Sequence, residues 1–432
     1  MNRIIYLFIL SGLLLAGCEK NFLEVEQPGV ITVSTTKDYD MMLNSSAVTS
    51  FISWPMLCLN DNFEFPSSKA PAGAPGMVYT WQNQPYQQED PALWSQPYKA
   101  IYYANLVINE VENSTGGLAT EKTKLKGEGL LTRGYMHFLL LQLYAKHYDA
   151  ATAATDYGIP YVTTTDMYGV TPARSTVADC YTKVLNDIEQ AIPLLPKTST
   201  LSIRGSKAAA HATLSRIYLH MKNYEKAIAN ADAALALKSD LLDYSPATFR
   251  AVAFPANPEF YYLKTVTEFE HPYSANLTAD AKALFNTTDS RKRLFVNALG
   301  YAAFSSHYGI TVPEVMLIKA EALARKSSPD LTAALDIMNR LNKNRDRSHT
   351  DLSSTDAEQV ITWILNEKRR ELLPSPLRWF DMRRLAPEGR TPTVTRTVGT
   401  TTYTLEPNSK KYTMMIPAVV IRFNPDMPQN ER

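Results

Sequence analysis

The stretch from Lys207 to Leu237, KAAAHATLSRIYLHMKNYEKAIANADAALAL, predicts two helices joined by a tight turn. The positions that carry the tetratricopeptide pattern are Leu214, Tyr218, Ala227 and Ala234. Small residues at such fixed offsets allow two helices to approach each other closely. Since one helical pair cannot bury its own apolar face, this stretch predicts a scaffold in which further helices pack on the pair.

The neighbours of this pair are predicted on both sides of it. Before it, apolar residues recur with helical spacing in three segments, which are residues 92–111, 123–147 and 175–195. After it, residues 313–343 form a second helical pair around a Ser-Ser-Pro turn. The Thr-rich and Val-rich residues that follow Thr391 predict a small β-hairpin. The fold class is therefore mainly α.

A charged stretch lies near the C-terminal end, at residues 355–384, and reads TDAEQVITWILNEKRRELLPSPLRWFDMRR. Thr355 and Glu358 have the spacing of a capping box, which predicts the start of a helix. Pro374 and Pro376 predict its end, because proline cannot continue the backbone hydrogen bonds. The aromatic and ionic run after these prolines is either a binding site or a brace between helices.

The charges of this stretch favour the brace. Its basic residues are Lys368, Arg369, Arg370, Arg378, Arg383 and Arg384, and the acidic residues between them are Glu367, Glu371 and Asp381. We expect these groups to neutralise one another instead of binding an anion, since a planar guanidinium suits bidentate pairing with a carboxylate. Trp94, Trp363 and Trp379 are predicted to lie in the core.

Two long segments interrupt the helical pattern, at residues 50–91 and 240–310. Both are rich in aromatic residues and proline, and a long irregular segment in a compact domain is often functional. Aromatic rings beside polar groups suit the faces and hydroxyls of sugars. The candidate ligand-binding residues are Trp54, Tyr79, Trp81, Tyr86, Asn60, Asp61 and Asn83 in the first segment and Tyr273, Tyr301 and His307 in the second. The alternative for each aromatic is packing within the lobe.

The N-terminus predicts export. An apolar run, Ile4 to Leu15, follows Arg3 and is too short to span a bilayer, so it reads as a signal peptide. It ends in Leu-Ala-Gly-Cys, a bacterial lipobox in which Cys18 would be lipidated. Cys58 and Cys180 then remain, either as a disulfide or as buried thiols.

Several functions find no support in the composition and motifs. The net charge of +1 argues against binding to nucleic acid, which requires a basic excess. No Cys/His cluster predicts a metal site, and no cofactor is predicted. No nucleophile elbow, HExxH or phosphate-binding glycine loop is present, so the chain is not predicted to be an enzyme.

The chain resembles the SusD/RagB family of Bacteroidetes outer-membrane lipoproteins along nearly its whole length. The resemblance rests on the order and spacing of the lipobox, Trp94…Tyr98…Ile101…Ala104-Asn105, Gly158-Ile159-Pro160-Tyr161, the tetratricopeptide-like pair, Glu321-Ala322 with Asn342 and Arg345, Glu367-Lys368-Arg369-Arg370-Glu371, Arg378-Trp379-Phe380-Asp381-Met382-Arg383, Ile416-Pro417 and Gln429-Asn430. One departure is Pro374-Ser375-Pro376-Leu377, where family members often carry an acidic residue followed by glycine.

The resemblance implies a nutrient-capture protein at the cell surface, anchored in the outer membrane by its lipid and acting as a lid on a SusC-like TonB-dependent transporter. The expected divisions are a signal peptide at 1–17, a lipidated tether at 18–35 and a SusD-like domain at 36–432. Within that domain the scaffold takes about 92–237 and 313–384, and the ligand lobe takes about 50–91 and 240–310. The ligand is expected to be an oligosaccharide, with a peptide as the alternative. A scaffold that binds only other proteins is the competing hypothesis.

Overall fold

The computed structural model describes residues 33–51, 54–83, 91–166, 169, 172–252, 256–266, 275–297, 307–373 and 375–432. Its α-helices are α1 (Thr36–Asn44), α2 (Ser46–Thr49), α3 (Trp54–Leu57), α4 (Gly73–Tyr79), α5 (Ala92–Glu110), α6 (Ala119–Tyr144), α7 (Val177–Leu194), α8 (Lys207–His220), α9 (Tyr224–Leu237), α10 (Ala279–Ala283), α11 (Ser290–Phe295), α12 (Val312–Arg325), α13 (Leu331–Lys343), α14 (Ala357–Glu371), α15 (Arg378–Leu385) and α16 (Ala418–Phe423). Its strands are β1 (Ser50–Phe51), β2 (Phe63–Glu64), β3 (Tyr157–Pro160), β4 (Arg174–Thr176), β5 (Phe260–Tyr262), β6 (Thr265–Val266), β7 (Asn276–Leu277), β8 (Ile310–Thr311), β9 (Val394–Val398) and β10 (Thr401–Leu405).

The mainly α fold class is confirmed, and α8 and α9 form the predicted pair. Side chains cap both helices, since the hydroxyl of Ser206 accepts from the amide of Ala209 and the side chain of Asn223 accepts from the amide of Lys226. The four pattern residues, Leu214, Tyr218, Ala227 and Ala234, are all buried. Helix α9 also packs on α12, so the pair buries its apolar faces against further helices, as predicted.

The remaining long helices extend the same layer. Helix α6 packs between α5 and α7, and α12 packs against both α13 and α14. Glycines in α6 permit this close approach: a Cβ at Gly129 would lie 2.9 Å from Ile108 Cγ1, and one at Gly134 would lie 2.8 Å from Ile188 Cγ1. Neither distance leaves room for a side chain.

The start of α14 differs from the prediction by one residue. The carboxylate of Asp356, and not the hydroxyl of Thr355, accepts from the amides of Glu358 and Gln359. The capping box predicted for Thr355 and Glu358 is therefore wrong, because the adjacent Asp356 supplies a charged acceptor for the same free amides. The helix ends at Glu371, before the prolines, of which Pro374 lies outside the described residues.

The two irregular segments pair with each other through short strands. β1 pairs with β6 in parallel, and β2 pairs with β7 in antiparallel orientation. A hydrophobic cluster separate from the main core joins them, and its members include Leu57, Phe63, Phe65, Tyr79, Ala275, Leu277 and Phe285. Cys58 belongs to this cluster and Cys180 to the main core, and both are free and buried. The disulfide alternative is therefore excluded. Farther along the chain, β9 and β10 form the predicted hairpin.

The stretch 355–384 is a brace in the structure. Trp379 is fully buried and stacks on Tyr412 with ring centroids 4.8 Å apart. Arg384 bonds the carboxylates of Glu321 on α12 and Asp381 on its own helix, each at 2.6 Å. This arrangement ties α15 to the tetratricopeptide-like scaffold through charged side chains that are buried.

Five of the six basic residues of this stretch pair with carboxylates. Lys368, Arg370 and Arg384 pair with acidic residues of the stretch, as predicted, whereas Arg369 and Arg378 pair with Asp61 of the first irregular segment. The pairs are Lys368 with Asp381, Arg369 and Arg378 with Asp61, Arg370 with Glu367, and Arg384 with Glu321 and Asp381. For Arg383 the prediction is wrong, because its guanidinium faces the end of α6 and donates to the backbone carbonyls of Gln142 and Ala145.

Candidate functional site

The candidate ligand residues divide into two groups in the structure. Tyr86, Tyr273 and Tyr301, like Cys18, lie outside the described residues, as does the side chain of Trp54, which opens α3. The others are described, and they are Asn60, Asp61, Tyr79, Trp81, Asn83 and His307. Of these, only Asn83 is exposed.

The rings of Tyr79 and Trp81 enclose the guanidinium of Arg396 from strand β9. Its Cζ lies 4.1 Å from the centroid of the Tyr79 ring and 4.2 Å from the centroid of the Trp81 ring. Each ring thus makes a cation–π contact with a desolvated cation. Trp81 is 1% exposed and its indole N–H donates to the carbonyl of Leu59 at 3.0 Å. Both rings therefore have a packing role in the lobe.

Arg396 also donates hydrogen bonds to the backbone near these rings. Its Nη groups donate to the carbonyl oxygens of Cys58 at 2.6 Å, Asn60 at 2.5 Å and Tyr79. Burial lowers the pKa of Arg396 to about 10, so the guanidinium stays protonated at neutral pH. The C-terminal hairpin thereby fixes the first irregular segment to the body of the protein.

Asp61 forms ion pairs with two arginines of the brace. Arg378 donates to both of its carboxylate oxygens at 2.7 Å, and Arg369 lies 3.4 Å away. Burial of Asp61 opposes its ionisation, but the charge and hydrogen bonds of Arg378, with the charge of Arg369, outweigh burial and hold its pKa at about 2. Asn60, fully buried, accepts from the amide of Asn62 at 2.9 Å. Asp61 and Asn60 thus act as framework residues.

His307 lies at the edge of the second irregular segment. Its ring meets Phe260 in a T-shaped contact with centroids 4.7 Å apart. Burial lowers the pKa of His307 to about 3, so the imidazole is neutral at physiological pH. That these buried residues contact a ligand remains a prediction. Their packing and hydrogen bonds in the interior do not favour it.

The described residues that flank the remaining candidates lie together. β1 ends at Phe51, three residues before Trp54, and it pairs with β6, which ends at Val266. The ring of Tyr308 contacts Phe51 edge-on with centroids 6.4 Å apart. The segments that contain Tyr273 and Tyr301 therefore begin or end at one place in the lobe, next to the start of α3.

Sequence reasoning did not identify Arg396, which lies 317 residues after Tyr79. A basic residue alternating with threonines in a predicted hairpin gives no sign of its distant partners. Within the described ranges, no group of three His, Cys, Asp or Glu side chains is arranged to hold a metal ion. No helix in the described part of the chain is long and apolar enough to cross a membrane.

Two family models match the chain. One, described as starch-binding and associating with the outer membrane, matches residues 59–219, and the other, described as the SusD family, matches residues 312–431. No curated protein sequence matches this chain.

The fold is shared with solved structures. A SusD superfamily protein from Bacteroides thetaiotaomicron is 21% identical, with a TM-score of 0.76 over 92% of this chain and 100% of its own. A putative sugar binding protein from Bacteroides vulgatus is 20% identical, with a TM-score of 0.73 over 93% of this chain and 99% of its own. Surface glycan-binding protein A from Bacteroides uniformis is 14% identical, with a TM-score of 0.71 over 92% and 99%. At these identities the likenesses show the fold alone.

The two family models cover most of the first irregular segment with helices α5 to α8, and the chain from α12 through the brace to the C-terminal residues. This chain belongs to the SusD/RagB family.

Proposed function

We propose that this chain is a cell-surface lipoprotein that captures oligosaccharides in its lobe and delivers them to a partner SusC-like TonB-dependent transporter. The observation that carries the proposal is membership in a family of which one model is described as starch-binding and associating with the outer membrane. A structural neighbour described as a surface glycan-binding protein agrees with it. In this role the protein binds its cargo and performs no reaction on it.

The proposed ligand contacts are Asn83, which is exposed, and the four aromatic candidates whose side chains lie outside the described residues. Trp54, Tyr86, Tyr273 and Tyr301 would stack on sugar rings, and Asn83 would bond hydroxyl groups. This assignment is supported by the exposure of Asn83 and by the pairing of β1 with β6, which places the residues before Trp54 beside the start of the segment that contains Tyr273. Tyr79, Trp81 and Asp61 are assigned to the framework that supports them.

The proposed anchor is a lipid on Cys18, after removal of residues 1–17. The support is the Leu-Ala-Gly-Cys sequence directly after an apolar run. A tether of residues 18–35 would hold the SusD-like domain at the outer membrane, facing the cell exterior and next to its transporter. This placement would keep captured oligosaccharide close to the channel that imports it.

Calorimetric titration against a panel of oligosaccharides and short peptides tests the proposed cargo. We expect saturable binding to at least one oligosaccharide, and weaker binding to its monosaccharide, because one sugar ring contacts fewer aromatic faces. The monosaccharide therefore serves as the matched control. Binding to peptides alone would assign the peptide function instead. Absence of binding across the panel would favour the scaffold hypothesis.

A further inference from the structure

The end of α4 is closed by a residue in the left-handed αL conformation, and that residue is a tryptophan. Trp81 has a φ of +52°, and its amide donates to the carbonyl of Val78 at 3.1 Å. The amide of Gln82 donates to the carbonyl of Met77 at 2.8 Å. These two bonds form a Schellman motif, in which the αL position commonly holds glycine. A bulky residue in this conformation is strained, so the surrounding structure must hold it there.

The side chain of Trp81 supplies that support. Its ring lies on the guanidinium of Arg396, and its indole N–H donates to the carbonyl of Leu59. These contacts offset the backbone strain, and they fix the direction in which the chain leaves α4. Asn83, the exposed candidate for ligand contact, is the second residue after this point. Strained backbone that its surroundings hold in place is frequent at ligand sites.

Arg432 holds the residue between Trp81 and Asn83. Its Nη1 donates to the carbonyl of Gln82 at 2.8 Å, and its Nη2 donates to the carbonyl of Lys411 at 3.2 Å. Because the peptide unit is planar, a bond to the Gln82 carbonyl also orients the amide nitrogen of Asn83. Burial lowers the pKa of Arg432 to about 10, so the guanidinium is charged at neutral pH. A charged donor makes the stronger kind of hydrogen bond.

The other end of this link belongs to the body of the protein. Lys411 lies in the 3₁₀ turn Lys410–Tyr412, and the ring of Tyr412 stacks on the buried Trp379 of the brace. Arg432 therefore connects the backbone next to Asn83 to a buried part of the scaffold. A ligand contact that is held by such a support loses less conformational freedom on binding, and its affinity for the ligand gains accordingly.

We propose that Arg432 is a positioning residue of the ligand site, which holds Asn83 ready to bond a sugar hydroxyl without itself touching the sugar. The sugar rests on the proposed function. The positioning rests on the bonds of Arg432 and on the Schellman motif at Trp81. Gln82 does not compete for the role of Asn83, because its side-chain amide donates to the hydroxyl of Thr80 at 2.9 Å.

Titration of Arg432→Met with the oligosaccharide that binds wild type most tightly tests the proposal. Methionine lacks the donors, so we expect the affinity to fall roughly threefold to tenfold while the melting temperature stays within a few degrees of wild type. Arg432→Lys keeps the charge and should recover part of the lost affinity. Arg422→Met is the matched control, because Arg422 is exposed and its guanidinium lies over the ring of Phe423. Unchanged affinity in Arg432→Met, or an equal loss in Arg422→Met, would overturn the proposal.

A double variant shows whether Arg432 acts through Asn83. Asn83→Ala should weaken binding by removing the proposed contact. Adding Arg432→Met to it should then weaken binding no further, because the residue that Arg432 positions is already gone. Losses that add in full would overturn the proposal, since they would mean that Arg432 supports the protein in some other way.

Amide hydrogen exchange measures the positioning without any ligand. The amide of Gln82 is protected by its bond to the carbonyl of Met77. We expect it to exchange at least about fivefold faster in Arg432→Met than in wild type, because the end of the motif is then held on one side only. Equal exchange would overturn the proposal. If wild type binds no oligosaccharide, the proposed function fails, and the exchange rates still decide whether Arg432 holds this segment.

Discussion

Replacing Arg291 by methionine is expected to lower the free energy of unfolding by about 3–5 kcal/mol, because it leaves buried carboxylates without their shared cation. Arg291 is 1% exposed and bonds Asp289, Glu367 and Glu371. Arg370 and Arg345 remain nearby, but two cations would then face four acids, since Arg345 also pairs with Glu259. Chemical denaturation at neutral pH measures the loss.

The effect of this substitution should depend on pH in a defined direction. Burial of Glu367 opposes its ionisation, but Arg291 and Arg370 outweigh burial and lower its pKa from 4.5 to about 2. The stability that the Glu367 carboxylate contributes through its arginine partners is present above the unfolded pKa and is lost as the pH falls from 4.5 toward 2. The difference between wild type and variant should therefore be smaller near pH 3.5 than near pH 7.

Arg293→Met is the matched control for Arg291. Arg293 is exposed and donates to the carbonyls of Phe249 and Pro246, so its loss should cost less than about 1 kcal/mol. Equal losses in the two variants would mean that the buried ion network contributes no more than a surface contact. That outcome would contradict the brace.

Replacing Trp379 by alanine is expected to cost about 3–5 kcal/mol of stability, through lost burial and the cavity left behind. The side chain is fully buried and stacks on Tyr412. The melting temperature of Trp379→Ala should fall further below wild type than that of Trp363→Ala, since Trp363 is only half-buried. Both variants should bind oligosaccharide normally in the folded fraction. Weakened affinity in folded Trp379→Ala, with its melting temperature unchanged, would return this residue to the ligand site.

The scaffold could be predicted from the sequence because its signals are local. Small residues at helical offsets, such as Ala227 and Ala234, specify the contact between α8 and α9 within one stretch of chain. Capping is also local, yet two adjacent acceptors compete at the start of α14, and spacing alone selected Thr355 where the structure uses Asp356. These repeated patterns were enough to predict the fold class, but they did not predict the exact residue at which each helix begins.

The interior of the lobe could not be predicted because its partners are distant in sequence. Aromatic content marked Tyr79 and Trp81 as candidates, but nothing near them shows that Arg396 occupies the space between their rings. Charge alternation correctly predicted ion pairs for Lys368 and Arg384. It failed for Arg383 because the orientation of α15, fixed by tertiary packing, directs that guanidinium to the end of α6.

The affinity of a Trp54→Ala, Tyr273→Ala and Tyr301→Ala triple variant for the best oligosaccharide of the panel tests the central claim most directly. These three residues, with Tyr86, make up the proposed stacking surface. We predict that the affinity falls at least about tenfold, while the melting temperature stays within a few degrees of wild type. Full retention of affinity by the folded triple variant would contradict the account.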